Sequence, residues 1–99
     1  MATKRTDPIR PGEILLEEFM RPLGLTANGL ARHLEVPPNR ISSIVRGDRS
    51  ITADTALRLS RYFETTPAFW LNLQMHYDLE VAKDALAGRL KRIVPIKAA

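Results

Sequence analysis

The chain has 99 residues, which suffices for one domain with a single core and excludes a second domain. It contains no cysteine, so disulfides and cysteine-based zinc sites are excluded, and a cytoplasmic location is expected. No apolar run approaches the roughly 18 residues that cross a bilayer, so no membrane partner is expected. The net charge of +4 favours an anionic partner without identifying it.

Two helices are predicted in the first third of the chain. Residues 1–10 show no hydrophobic period and are expected to form a flexible N-terminal tail, although a basic arm that enters a DNA groove is the alternative. Pro11 suits the first turn of a helix and begins a domain that is predicted to span residues 11–88. Thr26 is a good N-cap for the second helix, whose apolar residues repeat at three and four: Ala27, Leu30, Ala31 and Leu34.

Residues 30–52 have the pattern of a helix-turn-helix motif. The apolar spacing stops at residue 34 and resumes after a short break at Ile41, Ile44 and Val45. The other face of this third helix carries side chains that donate hydrogen bonds to base edges or phosphates: Asn39, Arg40, Ser43 and Arg46. Since none of them is acidic, the pattern predicts a helix that reads DNA. An ordinary helical hairpin with a solvated polar side is the alternative that periodicity alone leaves open.

The turn of this motif contains unusual residues. Glu35 stands where a positive φ is usually needed, which glycine adopts freely, so a local strain of about 1 kcal/mol is expected. Pro38 is expected at the first position of the third helix, where its missing N–H is harmless. Gly47 ends that helix. Arg46 and Arg49 beside it are expected to contact phosphates, the alternative being solvated charges near a helix C-terminus.

Two more helices are predicted in the second half of the chain. Thr52 is expected to cap the fourth helix, and Thr66 and Pro67 begin a long last helix over residues 67–88. This last helix has two apolar stripes: Trp70, Leu73 and Tyr77 lie along one, and Ala68, Leu71, Met75 and Leu79 along the other. One small domain does not need both, so we predict that one stripe forms a dimer, with the second stripe as the expected interface and the stripe of Trp70 and Tyr77 as the other candidate. Burial of both stripes in the monomer, or a break of the helix near Asp78, is the alternative to a dimer.

The remaining sequence gives no support to an enzymatic function. The histidines, His33 and His76, are distant in sequence without ligand-like spacing, and no glycine-rich phosphate loop or nucleophile motif is present. We therefore expect no catalytic or metal-binding residue, no cofactor and no small-molecule substrate. A module for RNA is a further alternative, but the chain lacks aromatic residues interleaved with its basic ones for base stacking. Residues 89–99 are expected to form a basic C-terminal tail, either as a frayed terminus or as an extended arm that orders on a partner.

The chain resembles the HigA/VapI family of antitoxins within the Xre/Cro-type helix-turn-helix class. The resemblance covers roughly residues 9–84, through PGEILLEEF, VPPNRISSIVRGDRSITADTALRLSRYF and TPAFWLNLQMHYDLEVAKD, and its most distinctive segments are ITADTALRL and FWLNLQ. It implies an all-α, five-helix, lambda-repressor-like domain with a long C-terminal helix. Departures from the family pattern are Glu35 at the usual turn glycine and Gly29 where a bulkier residue is commoner.

The resemblance also implies a function. Members are homodimers that bind a palindromic operator of their own operon and neutralise a small HigB/RelE-like ribonuclease toxin by direct binding. A standalone Xre-family repressor without a toxin is the closest alternative. Carried onto this chain, the resemblance places four residues where bases are contacted: Pro38, Asn39, Arg40 and Ser43. It places five where phosphates are held: Thr26, Asn28, Arg46, Arg49 and Thr52.

Overall fold

A computed structural model describes residues 7–97 of the chain, and this part consists of five helices without a strand. The first helix, α1, starts as an α-helical turn and continues directly into a π-helical segment. The bounds are Pro11–Ile14 and Leu15–Met20 for α1, Ala27–Leu34 for α2, Pro38–Arg46 for α3, Ala53–Phe63 for α4 and Pro67–Leu90 for α5. The predicted all-α, five-helix fold is confirmed.

The helices begin where the sequence predicts. The side chain of Thr26 accepts a hydrogen bond from Gly29 N at 3.0 Å, and that of Thr66 accepts one from Phe69 N at 3.1 Å. Thr52 occupies the N-cap position of α4, as predicted. Its side chain makes no capping hydrogen bond, so the predicted side-chain cap is absent. The last helix ends at Leu90, two residues beyond the predicted end at Gly88.

The turn between α2 and α3 adopts the strained conformation that the sequence predicts. Glu35 has φ 59° and ψ 45°, in the left-handed region. The guanidinium of Arg58 in α4 offsets this strain, because its Nη1 donates to the carbonyl oxygens of Leu34 at 2.8 Å and of Glu35 at 3.3 Å. Glu64 ends α4 with the same φ of 59°, which the sequence analysis did not anticipate.

The core forms between the inner faces of all five helices, and Trp70 of α5 is its largest fully buried side chain. The indole contacts Phe19 of α1 at a ring distance of 4.8 Å, and its Nε1 donates to Thr65 Oγ1 at 2.8 Å. The partner for the N–H removes the cost of burying that polar group. Leu73 and Tyr77, which share the predicted stripe with Trp70, are half-buried.

The second apolar stripe of α5 is exposed on the single chain. Leu71, Met75 and Leu79 retain 37%, 56% and 55% of their accessible surface, and Ala68 is exposed as well. The alternative that both stripes are buried within one monomer is therefore wrong. The helix is continuous through both stripes, and none of the helices within residues 7–97 is long and apolar enough to cross a membrane.

Residues 1–6 and 98–99 lie outside the described residues, so the tails expected at 1–10 and 89–99 are described only in part. Arg10, which was assigned to the N-terminal tail, is the N-cap residue of α1 and its side chain lies against Gly47 at the end of α3. The folded part of the chain therefore begins before the predicted boundary at residue 11.

Gly12 sets the closest approach of α1 to α3. A Cβ added at this position would overlap the carbonyl oxygen of Ile44 and would lie 2.7 Å from the Ile44 carbonyl carbon and 2.9 Å from Val45 Cα. All three atoms belong to the backbone of α3, which cannot yield as a flexible side chain does. The absence of a side chain at Gly12 thus fixes how deeply α3 is seated in the domain.

We predict that Gly12→Ala lowers the free energy of unfolding by about 1–3 kcal/mol or more, because the added methyl group forces α1 and α3 apart. Gly88→Ala is the matched control, since a Cβ at Gly88 meets no atom within 4 Å. The control should leave stability unchanged or raise it by up to about 1 kcal/mol. Urea unfolding followed by circular dichroism measures both, and equal effects of the two substitutions would contradict the proposed contact.

Candidate nucleic-acid interface

The outer side of α3 is a polar surface at one end of the domain. Ile41 and Ile44 on the inner side are fully buried, which fixes the rotation of the helix about its axis. Asn39 and Ser43 lie one helical turn apart on the outer side, where Asn39 is exposed and Ser43 half-buried. Pro38 is exposed at the first position of the helix, as predicted. This side can offer a neutral amide and a hydroxyl to a ligand.

Arg40 lies apart from these residues. It stands four residues before the buried Ile44, and its side chain is only 21% exposed. Its Nη1 lies 2.8 Å from Asp54 Oδ1, and its Nε is buried without a hydrogen-bond partner among residues 7–97. Arg40 thus turns toward α4 rather than sharing the outer side with Asn39, contrary to the face expected from periodicity.

Asp54 of α4 binds two arginines through one carboxylate oxygen. Its Oδ1 accepts from Arg58 Nε at 2.8 Å as well as from Arg40 Nη1. The hydrogen bond from Arg58 has the largest effect and lowers the pKa of Asp54; desolvation opposes it, but the hydrogen bond from Arg40 and both positive charges keep the pKa below its ordinary value of 3.8. Because Arg58 also binds the turn carbonyls, α3, the turn and α4 are connected by charge-assisted hydrogen bonds.

A second group of charges lies where α3 ends. Arg46 Nε is 3.1 Å from Asp48 Oδ2, and its Nη2 is 3.4 Å from Ser43 Oγ. The side chains of Arg46 and Asp48 are 60% and 65% exposed, so this pair is weak and exchanges readily for another anion. Arg49 is exposed in the loop that follows, and Arg10 lies beside Gly47 at the same end. Arg10 was missed as a member of this group because residues 1–10 lack any periodicity.

The loop between α3 and α4 is anchored to α5 by Gln74. This side chain is 92% buried, since only 8% of its surface is accessible, and its Oε1 accepts from Ile51 N at 2.8 Å. Its Nε2 donates to Asp78 Oδ1 at 2.8 Å. Gln74 was also missed, although a polar residue four positions after Trp70 in an inward stripe is the signal that would have identified it.

The remaining predicted residues lie at the starts of helices. Thr26 and Asn28 are at the beginning of α2, and Thr52 precedes α4; all three are exposed. The Oγ1 of Thr26 already accepts the bond from Gly29 N, and a Cβ at Gly29 would stand 3.0 Å from that oxygen. The small residue at Gly29 therefore protects the cap of α2.

The histidines lie on α2 and α5 and not on the outer side of α3. His33 of α2 stacks on Tyr62 of α4 with ring centroids 5.2 Å apart, and His76 is exposed on α5. Within residues 7–97, no three or more His, Cys, Asp or Glu side chains are grouped so as to hold a metal ion.

Comparisons with known proteins agree with this architecture. The sequence model of the helix-turn-helix family matches residues 16–70. Antitoxin HigA-1 of Vibrio cholerae is 35% identical over 94 residues, which cover 95% of this chain and 88% of that protein. The chain belongs to the HigA/VapI family of helix-turn-helix proteins. The resemblance found in the sequence is thereby confirmed.

Two further members of the family are more similar in sequence. Virulence-associated protein I of Dichelobacter nodosus is 57% identical over 75 residues, which cover 76% of this chain and 69% of that protein. The structure of the Pseudomonas aeruginosa antitoxin HigA with the higBA promoter has a TM-score of 0.88 and 43% identity, and the match covers 91% of this chain and 99% of that one. The similarity therefore extends well beyond the helix-turn-helix motif.

Proposed function

We propose that this chain is an antitoxin that represses its own operon as a DNA-binding dimer and neutralises a RelE-like ribonuclease toxin by direct contact, acting in the cytoplasm. The observation that carries the proposal is the outer side of α3, where Asn39 and Ser43 are accessible to a ligand while the inner side of the helix is buried in the core. A HigA antitoxin of the same fold has been solved with its promoter, which supports a role of this surface in DNA binding.

In this proposal, bases and backbone are contacted by different residues. Pro38, Asn39 and Ser43 face the base edges, and the amide of Asn39 suits adenine, which it can bind through two hydrogen bonds. Phosphates are held by the exposed arginines and by residues at helix starts: Arg46, Arg49, Thr26, Asn28 and Thr52. The Arg46–Asp48 pair opens toward DNA at low cost because both side chains are exposed.

We predict that Asn39→Ala and Arg49→Ala weaken DNA binding in different ways. Loss of the Asn39 amide should cost about 1–3 kcal/mol, confined to one base position of each half-site. Loss of the Arg49 charge should weaken binding to all sequences alike and reduce the salt dependence by about one phosphate contact. Fluorescence anisotropy measures both effects, with DNA from the region upstream of the gene for this chain and with single-base variants of that DNA. Equal losses across all sequences for both variants would refute the assignment.

A palindromic site requires two copies of the domain, and we assign the interface to the exposed stripe of α5. Its members are apolar, are exposed on the single chain and lie along one side of the helix: Ala68, Leu71, Met75 and Leu79. A two-fold dimer formed through this stripe would present both α3 helices to one face of the DNA, in half-sites about one helical turn apart.

We predict that Leu71→Glu and Met75→Glu convert the dimer into monomers, because each places a charge within an apolar interface. Ala87→Glu adds the same charge to an exposed position of α5 outside the stripe and should leave the dimer intact. Analytical ultracentrifugation distinguishes the two states. Since Trp70 is completely buried, dimers that persist in both variants would move the interface to another surface of the molecule rather than to the inner stripe.

The toxin partner is tested by purifying the tagged protein from cells that express its native operon and identifying the proteins that copurify by mass spectrometry. We expect a stoichiometric complex with a small basic ribonuclease whose activity on RNA is suppressed by the bound antitoxin. The Asn39→Ala variant serves as the control, because it should neutralise the toxin as well as the wild type does. Recovery of only the self-associated chain and duplex DNA would instead establish a standalone repressor.

A further inference from the structure

The Asp54 cluster, which comprises Arg40, Asp54 and Arg58, has a geometry that the proposed function does not use. We propose that Asp54 binds the Arg40 guanidinium and thereby keeps it from contacting DNA. Asp54 would then determine specificity, because the DNA sequence is contacted by the neutral side chains of α3. This inference rests on the proposed DNA binding. It assigns Arg40 a different role from the base contact that the family resemblance implies.

The guanidinium of Arg40 is already bound in part. Arginine binds guanine or phosphate best through two parallel N–H donors of its planar fork. In this structure, Nη1 of Arg40 is already bonded to Asp54 Oδ1 at 2.8 Å, and Nε is buried. A contact through Nε would require this atom to come into the open, and a two-point contact through Nη1 and Nη2 would share Nη1 with Asp54, whose negative charge offsets that of the guanidinium.

Asp54 is itself held on α4 by a second arginine. The same oxygen accepts from Arg58 Nε at 2.8 Å, and Arg58 Nη1 is bonded to Leu34 O at 2.8 Å in the turn. Asp54 is thus held by a residue of α4 that is itself fixed to the backbone. The lowered pKa of Asp54 agrees with this arrangement, since the hydrogen bonds from Arg58 and Arg40 favour the charged carboxylate.

An unpaired Arg40 would change how the protein binds DNA. It lies next to Asn39 near the start of α3, so a released guanidinium would stand close to any DNA bound to that helix. A cation that reaches phosphates increases the affinity for every sequence equally, because it releases counterions without contacting a base. Pairing Arg40 with Asp54 removes this sequence-independent contribution and so raises the ratio of operator to random-DNA affinity.

The test uses two DNA duplexes of equal length, one from the region upstream of the gene for this chain and one of random sequence. For each duplex, it measures how the logarithm of the observed association constant, Kobs, depends on log[salt]. For Asp54→Asn, which keeps the shape of the side chain and removes its charge, we expect the slope to become steeper by about 0.9, as for one additional phosphate contact. Affinity for random DNA should rise several-fold and the specificity ratio should fall. The conservative variant Asp54→Glu retains the charge and should keep the wild-type slope.

Variants of Arg40 separate this role from other effects of Asp54. Arg40→Gln alone should leave the slope unchanged, and Arg40→Gln combined with Asp54→Asn should return the slope to the wild-type value. Circular dichroism and thermal unfolding of each variant establish that it is folded before binding is measured. Should Asp54→Asn prove unfolded, Arg40→Gln still decides the question, since it removes the cation and leaves the bonds between Asp54 and Arg58.

Three results would overturn the inference. A slope flattened by Arg40→Gln alone would mean that Arg40 contacts DNA in the wild type. A steeper slope that persists in the double variant would mean that the charge of Asp54 repels DNA without acting through Arg40. An unchanged slope in folded Asp54→Asn would mean that Arg40 is not withheld at all. Failure of the wild type to prefer the upstream duplex over random DNA would refute the proposed function itself, which this assay detects independently.

Discussion

The packing of α3 against α1 and the core fixes the position of this helix, and the rest of the structure depends on that constraint. Ile41 and Ile44 are fully buried, and the missing side chain at Gly12 allows α1 to approach the backbone of α3 directly. Close-packed interiors resist displacement, so this contact fixes both the depth and the rotation of the helix. The outer side of α3 is consequently presented as a rigid surface, and rigid presentation is what a discriminating contact with base edges requires.

Polar contacts complete what the apolar packing begins, and each connects α3 or its loop to a different helix. Asp54 and Arg58 connect α3 and the strained turn to α4, while Gln74 connects the loop at Ile51 to α5. The helix α5 therefore holds the loop on one side and carries the proposed dimer interface on the other. Its inner stripe supports the loop where phosphates are proposed to bind, and its outer stripe, including Leu71, is the proposed dimer interface. The distance between two DNA-binding surfaces is then set by the same helix that supports each of them.

The arginines at this end of the domain differ in how firmly they are held. Arg46 pairs with Asp48 at the surface, where solvent screens the attraction and the pair reorganises easily. Arg40 is mostly buried, and the carboxylate that binds it is shared with Arg58. Net charge alone does not reveal this difference. What matters for an interface with DNA is which positive charges are accessible and can exchange their carboxylate partner for a phosphate, because those charges replace the counterions of the phosphates.

The sequence by itself determined the features that depend on neighbouring residues: the helix starts at Thr26 and Thr66, the positive φ at Glu35 and the two apolar stripes of α5. Local propensity and periodicity suffice for these, and the family motifs supplied the overall fold. Only the tertiary structure decided the direction of Arg40 and the anchoring of the loop by Gln74. Their partners lie 14 and 23 residues away along the chain, and pairing over such separations is set by how helices pack rather than by any local pattern.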